Sequence, residues 1–311
     1  MSPAVSPAVS PASVRAPTPE PIPIAVTFDD LPVHGPTLPG QSIVDIHRQL
    51  LDTLAAHHVP QVYGFINGAS AEKNPDGRRV LELWRDAGHP LGNHTWAHED
   101  IGEVGAAAGI RDIDRNDQLL AELMGDSPEA RRARRVFRYP FLHQGRDIQT
   151  LDAVRAHLGQ QGYRIAEVTI DFGDWAYNTP FVRCSAAHAE SAIDALRWNY
   201  EQRGLEYLEW SVAAARVIWG RPIHHVLLLH SGTFDAVMLD TLLTTYEQHG
   251  ARWVTLDEAL QDPIYQEDVR VPARAGGTLL EQRIARDAPP TPPYHIQSDR
   301  LLRHVCAHAS P

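Results

Sequence analysis

Two adjacent carboxylates, Asp29 and Asp30, close the apolar, β-branched run Ile22–Phe28. Side chains alternate along a strand, so one acid can bind a metal while its neighbour faces substrate. His94 and His98 stand four apart in His94-Thr95-Trp96-Ala97-His98. On one face of a helical turn both reach a single ion. Two imidazoles and one carboxylate are a common facial set for zinc or another divalent ion. Arg138 ends a strand in Arg138-Tyr139-Pro140-Phe141 and can fix a carboxylate through two parallel hydrogen bonds. Pro140 sets the turn and presents the N–H of Phe141. Asp171-Phe172-Gly173-Asp174-Trp175 can form a pocket wall with a buried carboxylate. His230 follows the apolar run Leu227–Leu229, at the end of a buried strand. Taken singly, each segment also fits a plainer role: a solvated turn, a surface residue or a core histidine.

The elements that must position these residues alternate along the chain. Strands are expected at 22–28, 62–66, 136–138, 164–169, 225–229 and 252–255, with a brief extended run at 90–94. Helices are expected at 42–57, 76–87, 110–124, 148–158, 236–249 and 256–260, with a mostly helical stretch at 185–219. Alternating strands and helices predict a parallel α/β sheet, and about seven strands suit one barrel better than two domains. The segments with chemistry fall at strand ends, the face that carries active sites in such barrels. Residues 1–20 are an Ala/Pro/Ser-rich leader without amphipathic period, read as a disordered linker. Residues 21–262 form the catalytic domain, and residues 263–311, rich in proline, an extension packed over the surface.

The chain has 311 residues and a formal charge of −11. That charge argues against nucleic acid as partner, because backbone binding needs a basic footprint. No apolar run is long enough to span a membrane, and no signal peptide is visible in this chain. Cys184 and Cys306 are too few for an all-cysteine zinc site or a disulfide scaffold, although they could form one bond. Histidine is abundant, at 17 residues.

In this order the five segments resemble the motifs of the polysaccharide deacetylase family, the NodB-homology domains of carbohydrate esterase family 4. The resemblance runs from about Val26 to Ser231. It implies a distorted (β/α)7-type barrel and one divalent metal, usually zinc, held by Asp30, His94 and His98. It implies Asp29 as general base, Arg138 as the arginine that orients it, and His230 as general acid. A carboxylate of the fourth motif tunes that histidine, and Asp171 and Asp174 both remain open for the task. Phe141, Trp175 and Tyr139 fall to oxyanion and substrate contacts. The implied reaction is metal-dependent hydrolysis of a non-peptide amide, removing the acetyl group of an N-acetylated sugar such as a chitooligosaccharide or peptidoglycan. Cyclic amides or imides and O-acetyl esters are the alternatives on the same site; a non-catalytic carbohydrate-binding protein is disfavoured by the intact motifs. The family resemblance suggests a periplasmic or secreted location, with a cytoplasmic one left open.

Three departures bear on specificity. Leu31 stands where the family commonly has glycine, and can narrow the groove or face away. An insertion at about 183–220, rich in Trp198, Tyr200, Tyr207, Trp210 and Trp219, is expected beside the cleft, as a wall or as plain helix packing. His34 and His143 lie close to the motifs and are further candidates for the cleft.

Overall fold

The computed structural model describes residues 20–272, 276–293 and 299–307. The leader, apart from Glu20, lies outside them, as do His295 and His308. The β-branched runs form seven strands: β1 Ile22–Leu31, β2 Tyr63–Ile66, β3 Leu91–Asn93, β4 Val136–Phe137, β5 Arg164–Ile165, β6 His225–His230 and β7 Ala251–Trp253. Every pairing is parallel, in the order β5-β4-β3-β2-β1-β6, with β7 on the N-terminal end of β1. Past β5 the chain swings round to β6, where Ile170 bridges to Leu227. The sheet thus curls almost closed, as a distorted barrel of one domain.

Helices pack around it: α1 Ile43–Ala56, α2 Gly68–Lys73, α3 Gly77–Asp86, α4 Ile101–Val104, α5 Ala106–Met124, α6 Pro128–Arg134, α7 Ile148–Gln160, α8 Asn178–Ala186, α9 Glu190–Trp219, α10 Thr233–Gln248, α11 Leu256–Ala259, α12 Leu279–Asp287 and α13 Asp299–His304. The stretch read as helical from 185 to 219 is two helices, broken at 187–189. The strand expected over 164–169 keeps only its first two residues, because the next ones leave β4 for β6. Among the described residues no helix is long and apolar enough to cross a membrane.

β1 shows how the sheet divides its surroundings. Ile24, Val26 and Phe28 join the core between sheet and helices, with Leu50, Trp84 and Leu239. Ala25 joins a second cluster with Tyr63, Phe65, Val136 and Val226. Both faces are buried, as expected for a central parallel strand. Thr27 and Asp29 share the parity of Ala25 and meet the Arg138 side chain.

The chain after Pro263 is not a bare tail. Leu279 and Leu280 of α12 are buried against Trp210 and Ala214 of α9, and the Leu279 N–H donates to the Val168 carbonyl at 2.7 Å. Leu302 of α13 is buried in the main core. Cys306 forms a disulfide with Cys184 of α8. These helices went unforeseen because their apolar residues are few and separated by proline-rich sequence.

Candidate active site and metal centre

Both acids of the first motif face the same cleft. Strict alternation would have separated them. The register of β1 against β2 shifts between Phe28 and Leu31, and Asp30 takes a positive φ of 63°. Such a bulge re-aims a side chain. The Oδ2 of Asp29 lies 3.6 Å from His94 Nε2, as does the Oδ1 of Asp30. Leu31 then points the other way, into the helix-side core beside Gly64 and Trp84, and does not line the cleft.

His94 and His98 converge from a loop and not from a helical turn. Thr95 and His98 have φ of 64° and 55°, which no helix contains. Three buried asparagines supply what helical hydrogen bonds would have. Asn67 donates to the carbonyls of His94 (2.7 Å) and Thr95 (3.2 Å). The Asn93 side-chain Oδ1 accepts from the Thr95 N–H, and Asn116 Nδ2 donates both to that Oδ1 and to the Ile66 carbonyl. Trp96 is buried over Gly68, where an added Cβ would fall 2.2 Å from its ring. Sequence reasoning missed these supports; polar residues at strand ends are their only signal.

Arg138 is fully buried. Its Nε donates to the Ala166 carbonyl, Nη2 to the Thr27 hydroxyl, and Nη1 to both oxygens of Asp29 at 3.2 and 3.4 Å. Its own carbonyl accepts from His94 Nδ1 at 2.8 Å. That bond leaves His94 Nε2 for the acids. One residue thus orients both a carboxylate and an imidazole.

Asp174, and not Asp171, contacts His230. Its Oδ1 accepts from His230 Nδ1 at 3.0 Å and its Oδ2 from the His230 N–H at 2.6 Å. Burial by itself would lower the His230 pKa, but the Asp174 carboxylate lifts it to about 10. Asp171 turns back to accept from the Gly173 N–H, and burial raises its pKa. Asp235, unforeseen, lies behind this pair and accepts from the Tyr200 hydroxyl at 2.8 Å. Burial, then the charge of Asp174, pushes its carboxyl pKa well above the ordinary range.

The cleft has a volume of about 900 Å³ and contains Asp29, Asp30, His94, His98, His230 and Asp171. Phe141 and Trp175, 53 % and 42 % exposed, stand on its rim, with Phe141 edge-on to His98. His34 and His143 also line it. His34 Nδ1 meets Asp30 Oδ2 at 2.8 Å, and His143 Nδ1 meets Asp100 at 2.7 Å. Tyr139 does not line it. Its side chain is buried beside Phe137 on the far side of the motif, because the extended backbone at 139 turns it away from the residues flanking it. From the insertion, Arg203 and Tyr207 reach the cleft, while Tyr200 and Trp210 pack inside the protein and Trp198 is exposed.

Asp30, His94 and His98 bring their ligand atoms within 4.8 Å of one another. Asp30 Oδ1 is buried and has no hydrogen-bond partner among the described residues. It lies 3.2 Å from His98 Nε2 and 3.6 Å from His94 Nε2. Zinc bonds of about 2.0–2.2 Å in a tetrahedral set place ligands about 3.3–3.6 Å apart. Burial works against the Asp30 charge, yet the hydrogen bond from His34 and the neighbouring imidazoles hold its pKa well below the carboxylate range. Burial pushes His98 down to about 4, keeping it neutral as a ligand must be. The donor set fits a divalent cation.

The comparisons agree with a barrel hydrolase that acts on carbon–nitrogen bonds other than peptides. The family model for polysaccharide deacetylases matches residues 16–165. Over that stretch, just under half of its length, the chain is similar to polysaccharide deacetylases. It is 26% identical over 238 residues to a peptidoglycan-N-acetylglucosamine deacetylase of Bacillus cereus, covering 76% of this chain and 68% of that protein. It is also 26% identical over 245 residues to a chitin deacetylase of Colletotrichum lindemuthianum, covering 77% and 79%. The solved structure of the chitin deacetylase from that fungus superposes with a TM-score of 0.53 at 23% identity, covering 78% of this chain and 89% of the other.

Proposed function

We propose that the protein is a divalent-metal-dependent deacetylase that hydrolyses the N-acetyl amide of an amino sugar. Water adds across the amide C–N bond, acetate leaves with the water oxygen, and the nitrogen departs as a protonated amine. The observation that carries this reading is the unpartnered, buried Asp30 Oδ1 facing two imidazoles, in one cleft with Asp29 and His230. The relatives named above support the choice of an acetylated glycan as substrate class.

Asp30, His94 and His98 would hold the ion, which when bound supplies Lewis acidity and a more acidic water. Zinc suits two imidazoles and a carboxylate. Asp29 takes the water proton, with Arg138 fixing the direction of its lone pairs. The Phe141 N–H donates to the oxyanion, and Trp175 walls the acetyl group. The Asp174 carboxylate, which accepts the Nδ1 proton, favours the imidazolium form of His230, and that form carries a second proton on Nε2 and gives it to the departing nitrogen. Asp174 positions and charges that imidazole. His34 and His143 contribute binding contacts at the edge of the cleft.

The catalytic barrel in this reading spans residues 21–262, with the segment from 263 as its C-terminal extension. The Cys184–Cys306 bond supports an oxidising compartment, periplasmic or extracellular, where disulfides persist. The test is acetate release from acetylated oligosaccharides, peptidoglycan and acetylated xylan, beside ring opening of cyclic amides, with metal content measured on the same sample. Acetate from N-acetylated sugars with about one divalent ion per chain is expected, as one set of three ligands implies. Ring opening with no acetate from any sugar would replace this reading by the cyclic-amide one.

A further inference from the structure

The cleft rim is not built by the barrel loops alone. Gly276 lies against the third motif: a Cβ there would fall 2.4 Å from the Phe141 carbonyl oxygen and 2.9 Å from the His143 ring. Gly276, Gly277 and Glu281 line the cleft, and α12, which carries Glu281, packs on α9. Leu302 lines it too, on α13, which packs on α8 and on the 174–177 turn that carries Trp175. The described parts of the C-terminal segment therefore reach the rim at two places, beside the third motif through Gly276, Gly277 and Glu281 and beside the turn of the fourth motif through Leu302. Its far end is bonded to α8 through Cys306 and Cys184 and is gripped by Arg183, which donates to the carbonyls of Arg303 and Val305 at 2.9 Å each. On the side of β1 to β3 a recess of about 200 Å³ adjoins the cleft, lined by Gly35, Asn67 and Trp96 and sharing Asp30, His34 and His98 with it.

A long glycan laid across an active site needs an exit on both sides. Here one side is walled by a segment packed into two cores, and the adjoining recess lies on the other. The main volume of about 900 Å³ lies within the roughly 300–1,000 Å³ of pockets that enclose small ligands. Leu31 takes no part in this, since it faces the helix-side core.

Resting on the deacetylase reading, we infer that the C-terminal segment makes the cleft one-ended. Its substrates are then short N-acetylated saccharides or the terminal residue of a chain, and internal residues of a polymer do not enter. The decisive experiment compares acetate release by the full-length, metal-loaded protein from di-N-acetylchitobiose and from soluble glycol chitin at equal acetyl concentration. Products from tetra-N-acetylchitotetraose are mapped by mass spectrometry. The expected result is a kcat/KM per acetyl group at least about tenfold higher on the dimer, with a terminal residue of the tetramer cleaved. Equal or faster release from the polymer, or internal deacetylation of the tetramer, overturns the inference while leaving the deacetylase reading intact. No acetate from any of the three overturns both. In the C184S/C306S double variant, shown folded by its melting curve, the dimer-to-polymer ratio should fall severalfold. An unchanged ratio there overturns the assignment of the wall to this segment. Should that variant fail to fold, the wild-type product pattern still decides.

Discussion

Asp29 and Asp30 are covalent neighbours that share His94 at 3.6 Å and otherwise differ, the first held by the Arg138 guanidinium and the second by His34 and His98. Their substitutions should therefore separate. Asp29→Asn keeps the shape and leaves the ligands in place, so metal content should be unchanged while kcat falls by about 10²–10⁴, the usual range for a general base. His94→Ala should lose metal and turnover together, read by metal analysis and acetate release. Normal turnover in Asp29→Asn would show that another group takes the proton. His230 depends on Asp174 through two hydrogen bonds, and Asp174→Asn would weaken the hold on its proton.

The HTWAH loop shows what an element contributes when it is irregular. Its conformation rests on Asn67, Asn93 and Asn116 beneath and on Trp96 seated over Gly68. A methyl group at 68 would meet the Trp96 ring at 2.2 Å. Overpacking of this kind costs about 1–3 kcal/mol. Gly68→Ala should lower the melting temperature and weaken metal binding, because the displaced ring lies between His94 and His98, the proposed ligands, in the chain. Titration of the apo protein with zinc, followed by calorimetry, checks both. A variant with wild-type metal affinity would show that the asparagines alone suffice.

At the scale of the whole molecule, stability should depend on acid through two buried histidines. His47 donates through Nε2 to the Pro32 carbonyl and accepts the Trp84 indole N–H at Nδ1, each at 2.7 Å, so one neutral tautomer satisfies the site. Burial lowers its pKa from 6.5 to about 4 and that of His225 to about 3. Below pH 6.5 the unfolded chain takes up protons that the fold refuses, so stability drops from there toward pH 4 and, for His225, toward pH 3. His47→Gln keeps one donor and one acceptor, and its denaturation midpoint should fall less steeply with pH over the same range. The disulfide, across a sequence separation of 122 residues, is the second global lever. Its reduction should cost about 2–4 kcal/mol, read as a lower melting temperature in dithiothreitol.

Much of this was legible in the amino-acid order. The period of the apolar runs is a local property, and it marked the strands, most helices and the end of each strand where chemistry could sit. Residue types at those ends named the acids and imidazoles that the cleft contains and the buried arginine that contacts Asp29. What the tertiary structure decided depends on partners far away in the chain. The bulge that turns Asp29 and Asp30 to one side answers to β2, and Thr27 is held by Leu227. Asp174 rather than Asp171 met His230, and Tyr139 and Leu31 turned from the cleft, because backbone geometry and packing set side-chain direction where local alternation fails. The helices after Pro263 and the Cys184–Cys306 bond had no local signal, since their stability comes from surfaces that the barrel offers only once folded. Residue order thus determined the barrel and the residue types that stand at its strand ends. Long-range packing decided which groups share the cleft and how much of its rim stays open.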